Sequence, residues 1–133
     1  DHMKPQGKSR QIHKCIADGS AHGVFNGAVV VRPHAQQTDS AQMSRSLLLT
    51  DKARIDAKPQ LEIFADNVKC SHGATVGQLN KEEIFYLRSR GISESVARNL
   101  LTYAFGGEVI EHIAVPSLKA QLEETVLLRT QIA

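Results

Sequence analysis

Apolar and polar positions alternate with a period of two through much of the chain up to about Gln78, and at helical spacing after it. The alternation predicts short strands over Gln11 to Ile16, Val24 to Val31, Arg45 to Leu49, Arg54 to Ala57, Leu61 to Phe64 and Val68 to Val76. Turn residues punctuate them at Asp18-Gly19, Asn26-Gly27, Arg32-Pro33, Thr50-Asp51 and Ala65-Asp66-Asn67. Asn26-Gly27 is expected as a tight hairpin turn, or as a bend between successive faces of a solenoid. Closely spaced strands without helices between them fit a sandwich, a barrel or a β-helix. No clean repeat is visible, so periodicity does not choose among the three.

The second part reads as three helices. Asn80-Lys81-Glu82-Glu83 predicts a capping box, and Gly91 a left-handed end to the first helix. Ser93 is expected to start a second helix, with an apolar stripe of Val96, Leu100, Leu101, Ala104 and Phe105. Gly106-Gly107 is expected either to interrupt that helix or to let a neighbour approach closely. Pro116-Ser117 opens a third, with Leu118, Leu122, Val126 and Arg129 along one side.

Candidate chemistry concentrates in Val68 to Gly77. Residues two apart in a strand share a face, so Cys70 and His72 are placed to present a thiol and an imidazole together. Gly73 and Ala74 are expected to leave room beside them. Two such donors make half of a metal or sulfur site, and the remainder must come from elsewhere. A histidine packed in the β core is the blander reading of His72, and a small buried hydrophobe that of Cys70. His13 and Cys15 repeat the spacing and are read as core or surface. His22, His34 and His112 have no supporting constellation. Asp39, Glu62 and Asp66 have no paired carboxylate, and no phosphate-binding loop of the Gly-Lys-Ser/Thr type is present, so neither a hydrolase nor a nucleotide site has residues to stand on.

Composition narrows the picture further. A chain of 133 residues, 41% hydrophobic and 23% charged, suits one globular domain with a core that needs no disulfide. A net charge of +2, no Trp and few other aromatics give no reason to expect nucleic acid. The longest apolar runs, such as Ala28 to Val31, are too short to span a membrane. Cys15 and Cys70 are expected to be reduced.

The run VKCSHGATVGQLNKEEIFYLRSRGIS, Val68 to Ser93, resembles the C-terminal signature of the SufB/SufD family of iron–sulfur cluster assembly scaffold proteins, its SufD branch in particular. The resemblance extends upstream through AHGVFNGAVVVRPHAQQTDSAQMSRSLLL (Ala21 to Leu49) and KPQLEIFADN (Lys58 to Asn67), and downstream through YAFGGEVIEH (Tyr103 to His112). The chain is much shorter than a full family member.

The resemblance implies the end of a right-handed parallel β-helix over residues 10–78 and a C-terminal helical subdomain over 79–133; Asp1-His2-Met3 reads as a cloning remnant, and 1–9 as that remnant and a flexible start. The resemblance also implies a non-enzymatic scaffold subunit, cytoplasmic or in the plastid stroma. His72 falls on the histidine of the family's SHGA motif, which implies a neutral imidazole ligand for iron or for a nascent cluster, transient and shared with a SufB-type subunit; Cys70 is the second choice. The family places a SufC-type ABC ATPase against the helical region, which makes Phe85, Tyr86 and Arg88 contact candidates and brings in ATP only through that partner. A β-helix cut mid-solenoid exposes an open end, so self-association of the isolated chain is expected. The rivals are a self-contained metalloenzyme using Cys70 and His72, with or without Cys15 and His13, and a sugar-binding or acyl-transferase β-helix, which the missing hexapeptide repeat disfavours.

Overall fold

Alternate strands pair with each other, and consecutive ones do not. In a computed structural model, which describes residues 1–131 and side chains through residue 128, five ten-residue strands come first: β1 (Lys8–Ala17), β2 (His22–Val31), β3 (Asp39–Leu48), β4 (Arg54–Ile63) and β5 (Lys69–Gln78). They form two open parallel sheets, ordered β1-β3-β5 and β2-β4. Lys8 stands opposite Asp39, Asp39 opposite Lys69, and His22 opposite Arg54. The chain therefore returns to the same place after roughly thirty residues, a repeat that sequence similarity between coils does not reveal.

The strands run longer than expected: β1 begins at Lys8 rather than Gln11, β3 at Asp39 rather than Arg45, and two expected strands merge into β4. Arg54 to Ala57 and Leu61 to Phe64 are one strand, because Pro59 sits inside β4 without breaking it. Arg54 donates its backbone N–H to Ala21 O and Phe64 donates to Val31 O, so even-numbered residues of β4 face β2. Pro59 is odd, and the N–H it lacks belongs to the unpaired side, where proline is tolerated. Asn26-Gly27 is neither a hairpin turn nor a bend. Both residues lie mid-strand in β2, opposite Lys58 and Pro59.

The interior between the sheets is apolar at its two ends and polar in the middle. Val29, Val31, Ala35 and Ala65 form one apolar cluster, with Leu61, Val68 and Cys70 against it. Ala17, Ala53 and Ile55 form the other, with Cys15 and Leu48 against it. Between them β3 turns Ser40, Gln42, Ser44 and Ser46 inward, all buried. Three of them find partners one strand away: Ser9 Oγ lies 2.8 Å from Ser40 Oγ, Gln42 donates to Gln11 Oε1 at 2.7 Å, and His13 Nδ1 lies 3.3 Å from Ser44 Oγ, whereas Ser46 Oγ has no partner among the described residues. The first residues belong to this arrangement too. His2 donates its backbone N–H to Val30 O, and its ring lies 2.9 Å from Ser9 Oγ.

Three helices follow: α1 (Lys81–Ser89), α2 (Glu94–Ile110) and α3 (Pro116–Gln131). Asn80 caps α1 by accepting the Glu82 N–H at 2.9 Å, and Gly91 follows the helix end at φ +85°. Ser93 caps α2. That helix runs through Gly106-Gly107 without interruption. A Cβ at Gly106 would touch Val126 of α3 at 3.4 Å and Ile16 of β1 at 3.6 Å, so the small residue lets three elements meet. Leu122 and Val126 are half-buried and Leu118 is exposed, while the side chain of Arg129 lies outside the described residues. No helix among the described residues is long and apolar enough to cross a membrane.

Candidate functional site

β5 places the site. It has β3 on one side and, among the described residues, no strand on the other. Lys69 donates its backbone N–H to Thr38 O at 2.8 Å, so odd-numbered residues of β5 spend their backbone groups on β3. The even-numbered ones, Cys70, His72, Ala74 and Val76, direct theirs to the open edge. The same four residues turn their side chains toward the interior, since Cys70 packs on the apolar cluster around Val31.

Cys70 and His72 therefore share a face, as the spacing predicts, but differ in burial. Cys70 is half-buried, and His72 is exposed. Cys70 packs with Leu61 of β4 against the apolar cluster around Val31, a cluster that His72 does not join. The room expected from Gly73 is on the other side: a Cβ there would meet Met43 at 3.2 Å on the outer face. Ala74 stands beside His72 on the inner face, and it is exposed.

His13 and Cys15 do not join this pair. They lie on β1, with all of β3 between them and β5, a gap of about 10 Å that no single metal bridges. His13 stacks on Phe25 at 4.1 Å between centroids and lies 3.3 Å from Ser44 Oγ, which makes it a core histidine. Both cysteines are free. Among the described residues no three His, Cys, Asp or Glu side chains gather as a metal cage. An open cleft of about 750 Å³ near Thr50, Gln78 and Arg98 contains none of the candidate residues.

One residue at the site escapes sequence reasoning. Gln42 stands in register with His72 on the neighbouring strand, and it is 1% exposed. The only signal is its offset from Gln11 and His72, invisible until the strands are aligned.

The helical candidates separate cleanly from the core. Ile84 is the buried member of α1, while Phe85 is 72% and Tyr86 57% exposed. Arg88 is exposed and pairs with Glu94 at 3.1 Å, and Arg90 lies over the Tyr86 ring at 5.3 Å. Of the apolar run Ile84-Phe85-Tyr86-Leu87, Phe85 and Tyr86 are thus more than the helix's own packing uses.

The comparisons with known proteins bear on this geometry directly. The family model for the SUF system FeS cluster assembly SufBD core domain matches residues 1–105. The chain belongs to the SufBD family. It is 52% identical over 126 residues to an iron–sulfur cluster assembly SufBD family protein of Synechocystis, covering 95% of this chain and 28% of that protein. It is 48% identical over 122 residues to the iron–sulfur cluster assembly protein SufD of Escherichia coli, covering 92% of this chain and 29% of that one. Protein ABCI7, chloroplastic, of Arabidopsis thaliana is 46% identical over 123 residues, with 92% and 26% covered. The chain thus spans between a quarter and a third of the length of these relatives, and the matched stretch is their C-terminal part.

Proposed function

We propose that this chain is the C-terminal part of a SufD-like scaffold subunit, which contributes His72 to an iron–sulfur cluster assembly site completed by a SufB-type subunit. The observation that carries the reading is the pairing of an exposed imidazole with an unpaired strand edge on the same residues of β5. A strand added at that edge would hydrogen-bond to the backbone of Cys70, His72 and Ala74 and bring its own side chains beside the ring. His72 would then ligate iron or the cluster as a neutral imidazole, and the half-buried Cys70 is the secondary candidate. The cluster is cargo, transient and shared across that junction. No step in this reading is a catalysed reaction of the chain itself.

The roughly thirty-residue pairing of alternate strands is read as the last coils of a right-handed parallel β-helix over residues 10–78, with 79–133 as a helical subdomain. A SufC-type ABC ATPase would dock on α1 at Phe85, Tyr86 and Arg88. Its ATP hydrolysis would move the scaffold subunits relative to one another and reshape the site. The relatives' cyanobacterial, bacterial and chloroplastic origins suit the cytoplasm or the plastid stroma.

His72→Ala tests the reading. An exposed side chain away from caps and cavities changes stability by no more than about 0.5 kcal/mol. Cluster formation in the assembled complex is expected to fall sharply with the melting temperature nearly unchanged. A large fall in melting temperature with normal cluster formation would make His72 structural instead.

A further inference from the structure

The polar interior contains one atom whose orientation has a use. Gln42 Oε1 is buried and has no hydrogen-bond partner among the described residues. Buried acceptors are costly to leave unpaired, and a native protein that keeps one has a reason. The rest of this amide is fixed. Its Nε2 donates to Gln11 Oε1 at 2.7 Å, on the β1 side. Gly27 makes room for it, since a Cβ there would lie 2.5 Å from Gln42 Nε2 and 3.1 Å from Cδ. The two arms of one planar amide diverge, so with nitrogen held toward β1 the oxygen turns away from β1.

On the side away from β1 stands β5, and the residue in register there is His72, on the same inner face. In-register residues of neighbouring strands are about 4.8 Å apart at the backbone, so the exposed His72 side chain, which makes no hydrogen bond to Gln42 in the structure, reaches the amide by turning inward. Gln11, Gln42 and His72 are thus three rungs of one ladder. Gln11 is exposed, so its own amide nitrogen is left to water while its oxygen holds Gln42.

We propose that Gln42 is a positioning residue for His72: when the exposed imidazole turns inward, its ring N–H donates to the buried Gln42 amide oxygen, which leaves the other ring nitrogen as a lone-pair donor at the open edge. A ligating histidine commonly gives its second nitrogen to a carbonyl or carboxylate, and that bond decides which nitrogen is free for the ligand. Here the carbonyl is a side-chain amide locked from behind by Gln11. The inference rests on the reading of His72 as a ligand, and it names what holds that ligand ready.

Nitrogen–proton correlation spectra of the chain at about pH 8, above the ordinary histidine range, read which ring nitrogen carries the proton. The His72 signal is assigned by its loss in His72→Ala. One tautomer is expected to dominate by about tenfold, the bias that an ordinary hydrogen bond supplies. Gln42→Met keeps the side-chain length without the acceptor and is expected to bring the ratio to within about threefold of even. Gln11→Met, at an exposed position, releases the Gln42 amide to turn over and should narrow the ratio as well, so the proposal stays testable if Gln42→Met does not fold. Tautomer ratios that are the same in wild type and variants overturn it. Cluster yield in the assembled complex separates this inference from the reading beneath it. If Gln42→Met shifts the tautomers while His72→Ala leaves the yield intact, positioning stands and the ligand role falls. If the tautomers never move while His72→Ala abolishes the yield, the ligand role stands and positioning falls.

Discussion

Lys14 projects from the outer face of β1, and its side chain is only 5% exposed. A charge so enclosed needs partners, and α2 supplies three. Lys14 Nζ donates to Phe105 O at 2.7 Å and to the Glu108 carboxylate, and it lies 4.3 Å from the Phe105 ring centroid. Arg45 adds a second cation to Glu108 at 3.6 Å. The hydrogen bond from Lys14 holds the Glu108 carboxyl below the usual carboxylate range, with the Lys14, Arg45 and His112 charges adding to it. A depressed folded pKa contributes stability above the unfolded pKa and loses it as pH falls through the folded value. Glu108 is itself half-exposed, so the contribution is modest. Glu108→Gln is expected to lower stability by about 1 kcal/mol at pH 7, with the gap to wild type closing below about pH 4. Urea melts at both pH values check this. A gap independent of pH would mean that something other than the charge ties β1 to α2. No sequence signal links Lys14 to Glu108, whereas Cys70 and His72 were legible because strand spacing alone puts them on one face. Gln42 was not, because its role depends on a neighbour thirty residues on.

At the scale of elements, legibility followed local chemistry. Caps and breakers carry their meaning within four residues, and Asn80, Gly91, Ser93 and Pro116 all stand where the sequence puts them. β3 was seen only from Arg45 on. Its first half hides Ser40, Gln42 and Ser44 rather than apolar residues, which inverts the pattern by which a half-buried strand is recognised. Pro59 split β4 on paper because only pairing shows that its missing donor faces the open side. α1 poses the opposite problem, since its pattern is apolar beyond need. Ile84 alone is buried, and Phe85 and Tyr86 stand out beside Arg88. Interfaces concentrate their energy in a few aromatic and arginine positions. Replacing Tyr86 and Arg88 together by Ala is expected to weaken binding of a SufC-type ATPase by about 2–4 kcal/mol. Affinity for a SufB-type subunit should hardly change, because that contact is assigned to β5. Calorimetry showing both affinities intact would move the docking surface to the segment from Ser93 to Ile113.

For the molecule as a whole, the open sheet edges decide what it can associate with, and the two at the β4 and β5 end are not equivalent. On β4 the backbone groups of odd-numbered residues face outward, and Pro59 removes one donor from that row. Proline on an edge blunts pairing. On β5 the outward row runs through Cys70, His72, Ala74 and Val76 with no proline among them. Its side chains there are a half-buried thiol and three exposed residues without a charged carboxylate or ammonium among them, so little guards that edge. In the isolated chain we therefore expect self-association through β5, the edge assigned above to a SufB-type partner, at micromolar concentration. Ala74→Pro isolates the cause. The N–H it deletes points to the open side, so the ladder to β3 survives. Proline also favours an extended residue before it, which Gly73 already is within β5. Light scattering should find wild type in assemblies and Ala74→Pro shifted to monomer, with circular dichroism unchanged. A variant that associates as strongly as wild type would show that the contact uses another edge. A wild type that is monomeric throughout that range would show that an open strand edge here is not sufficient to recruit a second copy.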